Sequence, residues 1–109
     1  MKLPAIRITT HAILRYRQRV SDTMDVKVIK TQIKKELCSS HTKWISMNKL
    51  PREILFHLSI RGLPGGLVAF NLKSGLLFKI HFDENRDIVI VVSVDKIDGA
   101  LRDALEDLI

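Results

Sequence analysis

Apolar residues recur at helical spacing through the first third of the chain. Ile13, Tyr16 and Val20 fall at i, i+3 and i+7, which predicts a helix beginning at Thr9 or Thr10. A threonine hydroxyl there can accept one of the unpaired N–H groups of the first turn. Val26, Ile29, Ile33 and Leu37 predict a second helix from about Met24 to Leu37, with Ser21-Asp22-Thr23 ending the first helix and capping the next. Upstream, Leu3 to Ile8 reads as a short strand or extended lead-in, kept at a sheet edge by Pro4. From Cys38 to Arg52 the periodicity dissolves, leaving one short strand around Lys43 to Met47 and a stop at Pro51.

Beyond Pro51 the period becomes two. Ile54, Phe56, Leu58 and Ile60 alternate with Leu55, His57, Ser59 and Arg61, which predicts a strand with one apolar and one partly polar face. Gly62 to Gly66 is a turn, Leu67 to Leu72 a strand, Lys73-Ser74-Gly75 a tight hairpin, and Leu76 to Phe82 its partner. After a turn at Asp83 to Arg86, the β-branched run Ile88 to Val92 predicts a central strand covered on both faces. Helical spacing returns from Asp95 to Ile109, with Ile97, Leu101, Ala104, Leu105 and Leu108 apolar. The expected architecture is a single α+β domain spanning residues 1–109. It has two N-terminal helices, an antiparallel sheet of about four strands and a C-terminal helix.

A composition of 46% apolar and 28% charged residues is that of a globular protein with a core. One cysteine, Cys38, cannot form an internal disulfide, which fits a reducing compartment. No apolar run approaches the roughly 20 residues that span a bilayer, and Arg7 and His11 interrupt the N-terminal segment, so a cytoplasmic location without membrane contact is expected. The charge is unevenly placed. Residues 1–52 hold twelve Lys and Arg against three acids, whereas residues 53–109 hold six against nine, within a formal net charge of +6. That asymmetry points to a polyanion-binding face on the helical half.

The first helix concentrates the chemistry. His11, Arg15 and Arg19 fall at i, i+4 and i+8 on one face, beside Gln18. An imidazole can carry a proton near neutral pH, and guanidiniums can hold a phosphate by paired hydrogen bonds. The pattern Thr-x-His-Ala-x-x-Arg-x-x-x-Arg, formed by Thr9, His11, Ala12, Arg15 and Arg19, resembles a family of small bacterial and phage proteins. These are related to the RelE- and BrnT-like toxins of the barnase, EndoU, colicin and RelE class of metal-independent ribonucleases. The match covers a short opening motif, supported by the order of elements. The resemblance implies RNA as substrate, no cofactor and an inhibitory antitoxin partner. Only His11, Arg15 and Arg19 carry over directly, because catalytic sets vary across the class.

Other residues enter from the strand alternation. His57, Ser59 and Arg61 share one strand face, Lys79 and His81 another, and Ser93 lies at the exit of the central strand. Cleaving RNA without a metal needs a base for the 2′-hydroxyl, cations for the phosphoryl oxygens and an acid for the departing 5′-oxygen. The candidates for that chemistry are His11, Arg15, Arg19, His57 and His81. Arg17, Lys27, Lys30, Lys34, Arg61 and Lys79 are candidates for RNA binding. Cys38-x-x-His41 offers only two metal ligands, so no metal site is expected. Ser46-x-x-Lys49 and Ser93-x-x-Lys96 lack the helical setting of an acylating enzyme, and the glycines at 62, 65 and 66 lack the crossover that cradles a nucleotide phosphate. Two other readings of the basic half stay open: a non-catalytic nucleic-acid-binding module, and a protein-interaction module for an acidic partner. The scarcity of aromatics for base stacking weighs against every nucleic-acid reading, since Tyr16 and Trp44 are the plausible platforms.

Overall fold

β5 (Ile88–Lys96) is the strand on which the other elements are assembled. In the computed structural model, which describes residues 5–57 and 66–108 and defines His57 by its backbone alone, five strands form one mixed sheet. Their order is β1-β5-β4-β3-β2, from β1 (Ala5–Ile8), β2 (Lys43–Ser46), β3 (Gly66–Asn71), β4 (Leu76–Asp83) and β5. β2 to β5 pair antiparallel, β3, β4 and β5 through short hairpin connections, while β1 runs parallel to β5. The helices are α1 (Thr10–Arg19), α2 (Val26–Leu37), α3 (Arg52–His57) and α4 (Gly99–Glu106), with a 3₁₀ turn at Met47–Lys49. The class is α+β.

Each sheet face has its own apolar layer. α1 and α2 press Ala12, Ile13, Tyr16, Ile29, Ile33 and Leu37 onto Ala69, Phe78, Ile80, Val89, Val91 and Val94. On the other face Ile54 from α3 and Leu101 and Leu105 from α4 join Met47, Leu50, Val68, Phe70 and Leu77. The hairpin between β3 and β4 turns through Gly75 at φ +76°, a left-handed conformation that glycine adopts without steric cost. Asn71 Oδ1 accepts from the backbone N–H of Lys73 and Ser74 there.

β1 pairs with β5 only from Ile88 to Val91, so the rest of that β5 edge must be satisfied otherwise. Thr9, the N-cap of α1, does part of this. Its hydroxyl donates to Val91 O at 3.1 Å and Val92 O at 3.2 Å, and accepts from Ala12 N at 3.1 Å. The register between β4 and β5 shifts at Lys79/Ile80, whose partners are Ser93 and Val91, leaving Val92 as the extra residue of a bulge. Further along, Arg19 Nε donates to Val94 O at 3.2 Å. α1 therefore lies along a strand edge where a sixth strand could otherwise pair.

The structure corrects several expectations. Residues 52–57 form a helix, not the start of a strand. On a strand Ile54 and Phe56 would share a face, yet Ile54 is buried and Phe56 is 88% exposed. The helix starts because Pro51 and Glu53 suit a first turn and because Pro51 O accepts from Ile54 N and Leu55 N. The remainder of the predicted strand, from Leu58 to Arg61, and the turn up to Gly65 lie outside the described residues. The apolar stripe of α1 uses Ala12, and Val20 is exposed, because the helix ends before Val20 can reach the sheet. Asp25, not Ser21 to Thr23, caps α2, its side chain accepting from Lys27 N. Finally, β5 is closed on only one face through Val92: Val89 and Val91 are buried, while Ile88, Ile90 and Val92 are half-buried. β-Branched residues predict a strand but carry no information about what covers it.

Two measurements test this account. Thr9→Val removes the cap and both hydroxyl bonds to β5 while keeping shape and the backbone bond from Thr9 N to Val91 O, and is expected to lower unfolding free energy by about 1–2 kcal/mol in denaturant titration, with Thr9→Ser losing much less. Burial first, and the Glu36 carboxylate second, push the Tyr16 phenol above its usual range. The folded chain thus holds that proton more tightly than the unfolded one. The contribution is complete below the unfolded phenol's value of about 10 and is lost as pH rises through the folded value. Tyr16→Phe is expected to flatten that alkaline decline in stability when unfolding is followed against pH.

Candidate functional site

The residues of the α1 row occupy two different environments. His11 is exposed, and its Nε2 accepts a long contact from Arg15 Nε at 3.5 Å. Arg15 also donates from Nη1 to Gln18 Oε1 at 3.4 Å. These contacts pre-order an imidazole and a guanidinium on the outer surface of the helix. Arg19 leaves the row: beyond its bond to Val94 O, its Nη2 lies 3.4 Å from Asp95 Oδ1. The aligned spacing of 11, 15 and 19 therefore does not make one three-residue grip. One edge carbonyl of β5 and one carboxylate claim the third member.

Strand register places a second set of groups on the sheet face opposite α1 and α2. Lys79 pairs with Val68 and Ser93, and His81 with Gly66 and Ile90, while Ile90 in turn pairs with Arg7. Because Val68 belongs to the layer under α3 and α4, Lys79, His81, Ser93 and Arg7 all project to that same side. Two positions along one strand put Lys79 and His81 about 6–7 Å apart at the backbone. Lys79 and His81 are half-buried, Ser93 is buried and Arg7 is exposed. Apolar cover thins toward His81 and Arg7, as the half-buried Ile88 and Ile90 show.

Asp95 joins the two sets. Its Oδ1 meets Arg19, and its Oδ2 lies 3.2 Å from Lys79 Nζ. Oδ2 is sealed from solvent, and Lys79 approaches it off the hydrogen-bond direction, so the contact is an ion pair and not a directed bond. With side chains only 20–33% exposed, these charges are less screened than a surface pair. The resulting string, Arg19–Asp95–Lys79, runs from the helix across the β5 edge to the sheet face, with His81 two residues further along β4.

The other sequence candidates lie elsewhere. Arg17 Nε donates to Met24 O at 3.3 Å and so ties α1 to the turn before α2. Lys30 and Lys34 line a separate recess of about 290 Å³ with Ile6, Arg7 and Ile8, against the β1 edge, and Lys27 is exposed on the first turn of α2. His57 ends α3 and not a strand, and Arg61 and Ser59 lie outside the described residues. Trp44 is half-buried against the α1 and α2 layer, and with Lys43, Ile45, Phe70 and Leu108 it lines a cavity of about 300 Å³ at the β2 edge. Among the described residues, no group of three or more His, Cys, Asp and Glu could hold a metal. No helix among them is long and apolar enough to cross a membrane.

Sequence reasoning missed Asp95 and Arg7. Asp95 reads locally as the lead-in to the C-terminal helix, and Arg7 as an interruption in an apolar segment. No local signal marks either, because each acquires its neighbours only through β5.

Neither a protein-family profile nor a curated protein matches the chain. Solved structures similar to it include the isolated RelE toxin of E. coli, at 15% identity and a TM-score of 0.46 over 97% of this chain and 99% of that one. They also include a metal-bound toxin from Helicobacter pylori, at 13% identity and a TM-score of 0.51 over 86% of this chain and 94% of that one. This second likeness shows that the α+β architecture described above is a fold the chain shares with the Helicobacter pylori toxin.

Proposed function

We propose that the chain is a toxin-like endoribonuclease that cleaves RNA by attack of a 2′-hydroxyl on the adjacent phosphodiester. One observation carries this reading: Arg19 and Lys79 converge on a single carboxylate, and Lys79 is two strand positions from His81. The shared fold and the motif resemblance support it. Arg19 and Lys79 would hold the non-bridging phosphoryl oxygens, where negative charge grows as the 2′-oxygen attacks. His81 would take the 2′-hydroxyl proton or supply one to the departing 5′-oxygen. His11 and Arg15 would grip a neighbouring phosphate from α1. The product is a 2′,3′-cyclic phosphate, hydrolysed to a 3′-phosphate. No step needs a cofactor, and an inhibitory antitoxin is the partner that the resemblance implies.

Incubating purified protein with labelled RNA and mapping the ends tests this. Cleavage is expected to leave cyclic or 3′-phosphate ends, to persist in EDTA, and to stop where the attacking hydroxyl is replaced by hydrogen. His81→Ala is expected to lower the rate by about 10²-fold or more, as loss of a proton-transfer group does. His11→Ala acts through binding and is expected to cost only a few-fold, mainly in half-saturating RNA concentration. Intact RNA under every condition, with steeply salt-dependent binding, would leave the non-catalytic nucleic-acid-binding module. Little affinity for RNA even at low salt would leave the protein-interaction module.

A further inference from the structure

We propose that Asp95 is a positioning residue that holds Arg19 and Lys79 together as a two-cation clip for one phosphodiester of RNA; this rests on the functional reading above and deepens it. Aspartate is a poor strand former, and a half-buried carboxylate carries a desolvation cost unless it is paired. At position 95 it has cations on both sides. Oδ1 faces Arg19 at 3.4 Å and the enclosed Oδ2 faces Lys79 at 3.2 Å. Arg19 is fixed a second time, through Nε to Val94 O at 3.2 Å, so its guanidinium plane is set by two partners from one strand. Without the carboxylate, two like charges would face each other with no negative charge between them.

The ligand class follows from the geometry. A carboxylate is a small oxyanion, and two cations that flank its two oxygens are spaced for the two non-bridging oxygens of a phosphodiester placed just outside it. Two positive charges against one negative leave the clip net positive, so Asp95 orders the cations without cancelling their attraction for phosphate. Arg19 comes from the helix side and Lys79 from the sheet face. A strand of RNA held between them therefore passes over the β5 edge, with His81 on its inner side.

The experiment uses a short 2′-O-methyl RNA oligonucleotide, which cannot be cleaved, alongside ordinary RNA. The side-chain NMR signals of Arg19 Nε and Lys79 Nζ in the wild-type chain are expected to shift together as the oligonucleotide is added. In Asp95→Asn both shifts should vanish. The single-turnover cleavage rate should fall by about tenfold or more while the dissociation constant changes by no more than roughly threefold, because a negative charge has been removed. A merely structural loss would lower the folded fraction, and with it rate and affinity alike. Asp95→Glu keeps the charge and is expected to restore much of the rate. An oligonucleotide that binds the wild type without moving both signals overturns the proposal with no variant needed. So does an Asp95→Asn chain that shifts as wild type does, or an Asp95→Glu chain no better than Asp95→Asn. Wild type that shifts but never cleaves RNA keeps the clip and removes the nuclease; cleavage without the shift does the reverse.

Discussion

The β5 edge opposite β4 is covered by β1 along only part of its length, and the carbonyls beyond Val91 still need donors. α1 supplies them by lying along the strand. Thr9 opens the helix and satisfies Val91 O and Val92 O at the bulge, and Arg19 closes it on Val94 O. One helix therefore caps itself, anchors the bulge and blocks an edge that would otherwise invite another strand. With both ends pinned to β5, Ala12, Ile13 and Tyr16 of the helix face the sheet. The place of α2 follows, since its own apolar stripe completes the same layer.

That arrangement closes one face of the sheet and leaves the other unevenly covered. α3 and α4 seal the half built on β2, β3 and the start of β4, through Val68, Phe70 and Leu77. Toward β1 the alternation of buried and half-buried residues along β5 shows the cover thinning. A lysine, a histidine and an aspartate under a close-packed helix would each carry a desolvation cost with few available partners. Here Lys79 and Asp95 answer that cost by pairing with each other, and Arg19 arrives from the helix side of the sheet as a second partner for Asp95.

An architecture shared with the Helicobacter pylori toxin at 13% identity is consistent with this division of labour. Layers of apolar side chains can be rebuilt from many sequences, whereas chemistry depends on a few groups at particular places.

Several features were legible in the residues alone because they are local. The 3.6-residue period of α2, the two-residue period of β3 and β4, the hairpin at Gly75, the Thr9 cap and the basic first half all depend on neighbours a few positions away. Where local signals conflict, packing decides. Ile54 and Phe56 share a strand-like alternation, but Ile54 has a hydrophobic layer to enter and Phe56 has none, so a helix separates them. The sequence by itself determined the α+β class, most element positions, and the shared helical face of His11, Arg15 and Arg19. Only the tertiary structure decided that Arg19 turns from that row to a carbonyl and a carboxylate more than seventy residues away, and that Asp95 faces Lys79. The physical reason is that helical and strand periods are properties of consecutive residues, whereas strand register and the cover over each face are set by which distant surfaces pack together.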